Sequence, residues 1–91
     1  MDNQDPIEYP VEGTLDLHTF HPKEVKGLIH NYLKACHGKK IFSVRIVHGK
    51  GNGTLRDCVH AQLRKLNLVK NFRLGNEFSG GWGATIVYLR H

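Results

Sequence analysis

Three glycines at alternate positions, between an apolar run and a helical pattern, constrain this chain more than any other feature. The segment from residue 46 to 56 reads IVHGKGNGTLR. Glycines let backbone N–H groups converge on an oxyanion, and the N-terminus of a following helix adds positive potential. The segment therefore predicts a strand that ends at His48, an anion-binding turn at Gly49, Lys50 and Gly51, and then a helix.

Charge separates the first residues from the rest of the chain. Residues 1–12 hold four of the eight acidic side chains and no lysine or arginine. The remainder carries thirteen Lys and Arg against four acids, an excess of nine. We interpret residues 1–12 as an extended acidic arm and residues 13–91 as one small domain. The excess positive charge favours a polyanion as partner, and the alternative is ordinary solubilising charge.

Cysteine usage and hydropathy indicate a compartment. Cys36 and Cys58 both fall on apolar positions of predicted helices, where a thiol packs as a small hydrophobic group. Their spacing fits neither a zinc site nor a disulfide framework. The sequence has no signal peptide and no apolar run long enough to span a bilayer. We expect a reducing cytoplasm and no contact with a membrane.

Two stretches have the apolar periodicity of amphipathic helices. The first opens at Pro22 and ends at Gly38, the usual roles of these residues at helix ends. The second follows the glycine turn. On its apolar face lie Leu55, Cys58, Val59, Leu63 and Leu66. On its other side Arg56, His60 and Arg64 recur every four residues, as a basic ridge or a plain solvated face.

Four short runs predict strands over residues 14–17, 41–47, 69–74 and 84–89, which gives the order β-α-β-α-β-β. Helical crossovers imply parallel pairing of the first strands, and the short last connection permits an antiparallel hairpin. Two helices cannot cover both faces of four strands. We therefore expect an α/β two-layer sandwich, a four-stranded mixed sheet with both helices on one face. In the last connection, we expect Trp82 to plug the core, with stacking on bases as the alternative.

The glycine turn does not match the common nucleotide-binding motifs. Its glycines depart from GxGxxG, and no GK[ST] stands at the spacing of a Walker A loop. The next predicted strand also lacks an acidic residue at its end to hold a ribose. A phosphate of nucleic acid is therefore favoured over a nucleotide cofactor.

Asp16 and His18 end the first predicted strand, and His48 ends the second. Alternation puts Leu15 and Leu17 on the core face and points Asp16 and His18 the other way. If the two strands are parallel neighbours, these polar side chains meet at the carboxyl edge of the sheet, where open α/β sheets bind ligands. A carboxylate and histidines near a phosphate suit general acid–base cleavage, with or without a metal ion. Hydrogen bonding to nearby backbone is the alternative.

Three motifs together resemble the Smr (small MutS-related) domain family, in its stand-alone bacterial type. Residues 15–18 read LDLH, residues 48–51 read HGKG, and residues 83–89 read GATIVYL. The family shows LDLH, HGxG or TGxG, and a late Gly-x-[Ser/Thr]-x-Val-x-Leu strand. The resemblance covers about residues 13–90. Thr19 departs from the glycine that follows LDLH in many members.

The resemblance implies a sandwich similar to the C-terminal domain of bacterial translation initiation factor three. It also implies nucleic-acid binding and, in several members, nicking or RNA-cleaving endonuclease activity, some of it aided by a divalent metal. The acid and histidine of the family's LDLH motif map onto Asp16 and His18. Its HGxG motif maps onto His48, Gly49 and Gly51.

Three functional hypotheses remain at this point. The first is an endonuclease for RNA or for branched or single-stranded DNA, with Asp16, His18 and His48 as catalytic residues. The second is a non-catalytic nucleic-acid-binding module, and the third is a binder of phosphorylated small molecules. The third leaves the dispersed Arg45, Arg56 and Arg64 unused, so we expect them to contact nucleic acid.

The retained acid and histidines favour the endonuclease. Mg²⁺ or Mn²⁺ would bind at Asp16 if a metal takes part. We expect a monomer, with a ribosome or a DNA-repair complex as the candidate delivery partner.

Overall fold

A computed structural model describes residues 13–51, 53–75 and 83–91. The predicted acidic arm and Trp82 lie outside the described residues. In chain order the elements are β1 (Gly13–Asp16), α1 (Pro22–Gly38), β2 (Ser43–Val47), α2 (Thr54–Lys65), β3 (Val69–Leu74) and β4 (Ala84–Leu89). This order confirms the predicted β-α-β-α-β-β arrangement. β2 starts two residues later than predicted, because the N–H of Ile41 still bonds the carbonyl of Cys36 at the end of α1, at 2.8 Å.

The sheet has the strand order β1-β2-β4-β3. β1 and β2 pair in parallel, and β4 pairs antiparallel with both β2 and β3. The parallel first pair and the antiparallel last pair agree with the sequence analysis. The second helical crossover runs from β2 through α2 to β3. Because β4 lies between β2 and β3, this crossover does not join neighbouring strands. The carboxyl end of β1 therefore lies beside the carboxyl end of β2, with Asp16 opposite Val47.

Both helices pack on one face of the sheet, as expected. One cluster of buried side chains joins α1, α2 and the inward residues of the strands, namely Leu17, Val25, Ile29, Leu33, Cys36, Val44, Ile46, Val59, Leu63, Val69, Val87 and Leu89. Leu15 packs against this cluster, so the alternation predicted for the first strand is confirmed. Full burial of one such aliphatic side chain stabilises the fold by about 1.5–3 kcal/mol.

Local interactions define the ends of α1. The side chain of Glu24 accepts the N–H of His21 at 2.9 Å, which satisfies one of the free donors before the helix. Pro22 follows at the first helical position, where its missing N–H costs nothing. At the other end Lys40 takes a left-handed conformation with φ of 63° and turns the chain towards β2. Within the described ranges, neither helix is long and apolar enough to cross a membrane.

We expect Leu33→Ala to lower the free energy of unfolding by about 2–5 kcal/mol, because Leu33 is fully buried between helix and sheet and its truncation leaves a cavity. Leu74→Ala is the matched control, since this leucine is 36% exposed. Urea denaturation followed by circular dichroism measures both. Equal losses in the two variants would contradict the assigned core.

Candidate functional site

The glycine turn leaves β2 in a conformation that only glycine adopts without strain. Gly49, Gly51 and Gly53 have φ angles of +81°, +23° and +87°. A side chain at any of these positions would strain the backbone. Gly53 is the N-cap residue of α2, so the turn ends where the first N–H groups of the helix have no intrahelical acceptor. The turn therefore faces the positive end of the α2 dipole.

One carbonyl ties the turn to the sheet. The Gly83 oxygen, just before β4, accepts the N–H of His48 and the N–H of Gly49, each at 2.9 Å. The N–H of Gly49 is therefore already used, and the donors left for an anion are those that follow it. The Lys50 side chain packs beside Gly83: a Cβ atom, if Gly83 had one, would lie 3.4 Å from Cγ of Lys50. Lys50 is nevertheless exposed.

Asp16 and His18 form an exposed hydrogen-bonded pair at the end of β1. The Nδ1 of His18 lies 2.5 Å from Oδ1 of Asp16, and the backbone N–H of His18 donates to the same oxygen at 3.0 Å. The side chains are 54% and 56% exposed. These hydrogen bonds favour the carboxylate and lower the pKa of Asp16. Nδ1 of His18 is bonded to the acid, so the other ring nitrogen, Nε2, points away from it. Nε2 has no partner among the described residues and is open to a ligand.

His18 of this pair lies next to the glycine turn. A Cβ built on Gly49 would lie 3.5 Å from Cβ of His18, which is ordinary van der Waals contact. Parallel pairing of β1 with β2 causes this proximity, because it ends both strands at the same edge. The predicted residues Asp16, His18, Gly49, Lys50 and Gly51 therefore lie together.

His48 occupies a different environment beneath the turn. It is 4% exposed, and both ring nitrogens have partners. Nδ1 lies 3.0 Å from the carbonyl oxygen of Gly49, and Nε2 lies 2.8 Å from Oγ1 of Thr85. A carbonyl oxygen only accepts, so Nδ1 carries the proton. In the neutral ring, Nε2 then accepts the hydroxyl proton of Thr85.

Thr85 joins His48 to a second histidine on α2. Nε2 of His60 lies 2.7 Å from Oγ1 of Thr85 and completes the chain by donating to it. The His60 ring also packs on Phe72, with ring centroids 4.8 Å apart. Sequence analysis placed His60 on a basic ridge and did not single out Thr85. The signal for Thr85 was its place in the GATIVYL segment, where alternation aims it at the helix side.

Burial keeps both of these histidines neutral. Desolvation lowers the pKa of His48, and the positive charge of Arg56 lowers it further. Desolvation also lowers the pKa of His60, with added effects from His48 and the arginines of α2. To transfer a proton in a reaction, His48 must first give up its hydrogen bond to Gly49 or to Thr85.

The three predicted arginines lie at different distances from the turn. Arg56 folds back across the start of α2, with Nη2 2.6 Å from a Cβ built on Gly53. Arg64 lies two helical turns away, about 12 Å along the axis, over the ring of Phe72. Arg45 lies opposite Thr14 in β1, on the helix-free face. Only Arg56 lies at the turn itself.

A metal ion would find one carboxylate here. Oδ2 of Asp16 has no partner in the described part of the chain, and Mg²⁺ binds well to one carboxylate, water and substrate phosphate. Across the described ranges no three His, Cys, Asp or Glu side chains are grouped as metal ligands. Asp16 thus fits a cation that a bound phosphate helps to hold.

Comparison with known sequences gives consistent matches. Residues 15–90 match the Smr domain family. The chain is 42% identical over 79 residues to the endonuclease MutS2 of Thermomicrobium roseum, and 40% identical over 80 residues to that of Clostridium botulinum strain Eklund 17B. These matches cover 87% and 88% of this chain and 10% of each relative. The chain thus spans about a tenth of the length of these curated relatives.

Two solved structures share the fold. The Smr domain of Thermus thermophilus MutS2 superposes with a TM-score of 0.84 at 29% identity, covering 88% of this chain and 100% of that one. YdaL, a stand-alone small MutS-related protein from Escherichia coli, gives 0.77 at 23% identity, covering 92% and 69%. At the latter identity the likeness is one of fold. The predicted fold class and family resemblance are confirmed.

The buried His48 and the half-buried His60 make stability depend on pH. Their pKa values lie below 6.5 in the folded chain, so the unfolded chain binds more protons as the pH falls through this value. We therefore expect the free energy of unfolding to decrease from pH 7.5 to pH 5.5. His60→Gln keeps an N–H donor for Thr85 without titrating, and we expect a shallower decrease. His30→Gln, at an exposed position of α1, is the control and should keep the wild-type slope. Identical slopes in all three chains would contradict this assignment.

Proposed function

The chain belongs to the Smr domain family, and on that premise we propose that it binds the phosphates of nucleic acid and cleaves a phosphodiester bond beside them. One observation carries the proposal. The exposed Asp16–His18 pair lies next to Gly49, the first residue of a positive-φ glycine turn at a helix N-terminus. A proton-transfer group and an anion-binding turn thus share one edge of the sheet. The relatives named endonuclease MutS2 are consistent with this chemistry.

Binding would use donors that follow Gly49 in the chain. Lys50 lies within the turn and Arg56 folds back across the start of α2, so both add positive charge there, next to the positive end of the helix dipole. These groups recognise a phosphate without reading a base, so the expected binding is independent of sequence. The excess of nine basic side chains beyond residue 12 extends the attraction to neighbouring phosphates. Arg45, on the helix-free face, and Arg64, on α2, lie on opposite sides of the sheet and would contact different phosphates.

His18 is the proposed proton-transfer group. Asp16 fixes Nδ1 as the protonated nitrogen, so Nε2 of the neutral ring accepts a proton from the attacking oxygen. That oxygen is the 2′-hydroxyl in RNA or a water in DNA. As it bonds to phosphorus, the bond to the leaving oxygen breaks, and the leaving oxygen takes up a proton from water at this exposed site. The N–H groups of the turn and Lys50 stabilise the added negative charge on the phosphate oxygens.

His48, the second predicted acid or base, has a further role in this proposal. Its ring bridges the Gly49 carbonyl and Thr85, so it holds the shape of the turn. Whether it also transfers a proton stays a prediction that His48→Gln tests. This variant keeps a donor for Gly49 and removes the titrating ring. If His48 only positions the turn, His48→Gln weakens phosphate binding and leaves the pH profile of the cleavage rate unchanged.

A divalent cation bound at Oδ2 of Asp16 would polarise a phosphate oxygen. The residues around Asp16 also allow cleavage without it, since His18 and the turn supply proton transfer and charge stabilisation. Parallel reactions in EDTA, Mg²⁺ and Mn²⁺ decide between the two.

The second candidate function is a binding module without catalysis. The burial of His48 favours it, because only one histidine at the site is open to a ligand. The same turn, Lys50 and Arg56 serve both functions. RNA and branched or single-stranded DNA are the proposed ligands in either case.

We expect Lys50→Ala and Arg56→Ala each to weaken binding to any sequence. Loss of one phosphate contact should reduce the slope of log affinity against log salt by about 0.7 for a single strand. Fluorescence anisotropy of a labelled oligonucleotide at several salt concentrations measures both quantities. Lys34→Ala, which removes the same charge from an exposed position of α1, is the control. Tight binding that ignores salt would contradict a phosphate contact.

We expect Asp16→Asn and His18→Ala each to slow cleavage by a factor of about 10²–10⁴, with fold and oligonucleotide affinity largely kept. Gel assays on end-labelled RNA and DNA, with EDTA, Mg²⁺ or Mn²⁺, measure the rates. Wild-type rates in the double variant would expose a contaminating nuclease and remove the case for this site. A wild-type chain that binds all substrates and cuts none supports the binding module.

A further inference from the structure

Phe20 is an exposed aromatic side chain next to the proposed phosphate site. It is 40% exposed, and the described residues contain one other exposed large hydrophobic side chain, Leu74. A single exposed apolar residue is normal on a protein surface and by itself needs no explanation. Its position relative to the glycine turn is what gives Phe20 a role.

A tight turn fixes where Phe20 lies. Its N–H donates to the carbonyl of Leu17 at 2.9 Å, so the chain reverses direction immediately after β1. Two peptide units separate Phe20 from His18, which limits the distance between their Cα atoms to about 7.6 Å. His18 in turn lies next to Gly49 of the glycine turn. Phe20 is therefore at the same edge of the sheet as the phosphate-binding turn, within two residues of His18.

The surroundings of Phe20 suit a polyanion better than an apolar protein surface. His18, His21 and Lys23 are exposed beside it. Within the described ranges the other exposed large hydrophobic side chain, Leu74, lies on β3 at the opposite edge of the sheet, so these two side chains do not form the contiguous apolar patch that docking of a protein partner would require. Glu24, the nearest acidic residue after the turn, is occupied by its hydrogen bond to the N–H of His21.

We propose that Phe20 is a stacking platform for an unpaired base of the strand whose phosphate lies on the glycine turn, so that the preferred ligand is single-stranded nucleic acid. This inference rests on the proposed phosphate binding and adds the class of substrate. The sugar joins each base to its phosphate, so a base next to the bound phosphate reaches a ring at the same edge. In a duplex the faces of that base are covered by neighbouring pairs. Stacking is tolerant of sequence, in keeping with phosphate contacts that read no base.

The test compares three ligands of equal length: a single-stranded oligothymidylate, an oligonucleotide of abasic sugars, and a duplex. Binding of the wild-type chain and of Phe20→Leu, Phe20→Tyr and Leu74→Ala is measured by anisotropy in EDTA, and gels of the same samples check that the ligands stay intact. Leucine keeps the apolar contacts of the side chain and lacks an aromatic face, and tyrosine keeps the face. Leu74→Ala removes the other exposed large hydrophobic side chain.

We expect the wild-type chain to prefer the oligothymidylate to the abasic strand. Phe20→Leu should lose most of that preference, a change of about 5- to 150-fold, the range that loss of one base–aromatic stack gives. Affinity for the abasic strand and the duplex should stay unchanged. Phe20→Tyr should retain wild-type affinity, and Leu74→Ala should behave as wild type.

Other outcomes separate the two proposals. If wild type and Phe20→Leu bind the abasic strand and the oligothymidylate equally, with salt-dependent affinity, phosphate binding stands and the stacking platform is wrong. If Phe20→Leu weakens all three ligands equally, the residue supports the fold of the turn and reads no base. If the wild-type chain binds none of the ligands at low salt, the proposed nucleic-acid binding fails and the platform fails with it.

Discussion

The double hydrogen bond to the Gly83 carbonyl is the contact on which the site depends. It fixes where β2 ends and the glycine turn begins, because the N–H groups of His48 and Gly49 are held by one oxygen of the chain entering β4. Two residues further on, Thr85 stands opposite Ile46 and points to the helix side, where it meets the His48 ring. A slip of one residue between β2 and β4 would turn Thr85 to the other face of the sheet and leave Nε2 of His48 buried without its partner.

Much of this arrangement could be predicted from the sequence, because it follows from local periodicity. The alternation of Leu15 and Leu17 with Asp16 and His18 set their faces, and the apolar stripes located both helices. The position of β4 between its two partners could not be predicted, since strand order depends on pairing between distant segments. The contact of His60 with Thr85 depends on that order, and a helical wheel alone put His60 on the solvent side.

His18 and His48 each follow the end of a strand, but His18 is exposed and His48 is buried. His18 is exposed, and its hydrogen bond to the Asp16 carboxylate fixes the orientation of its ring. His48 lies under the turn, among partners that use both nitrogens and with burial that favours the neutral form. The sequence shows both as the last residue of a strand motif. The difference comes from their positions in the fold. His18 lies at the exposed edge of the sheet, which suits the proposed proton transfer, whereas His48 lies under the helix layer, where it holds the backbone of the turn in shape.

The strand order also places the two halves of the site on supports of unequal stiffness. The glycine turn grows from β2, which is flanked by strands on both sides, whereas β1 is four residues long and is an edge strand of the described sheet. The Tyr32 hydroxyl bonds the Thr14 carbonyl near its start, and the Leu17 N–H bonds Val47 near its end. Fraying at this margin carries Asp16, His18 and Phe20 away as a unit while the turn stays in place. One half of the site is therefore rigid and the other can move. A strand of nucleic acid that bound both halves would hold β1 and the glycine turn together.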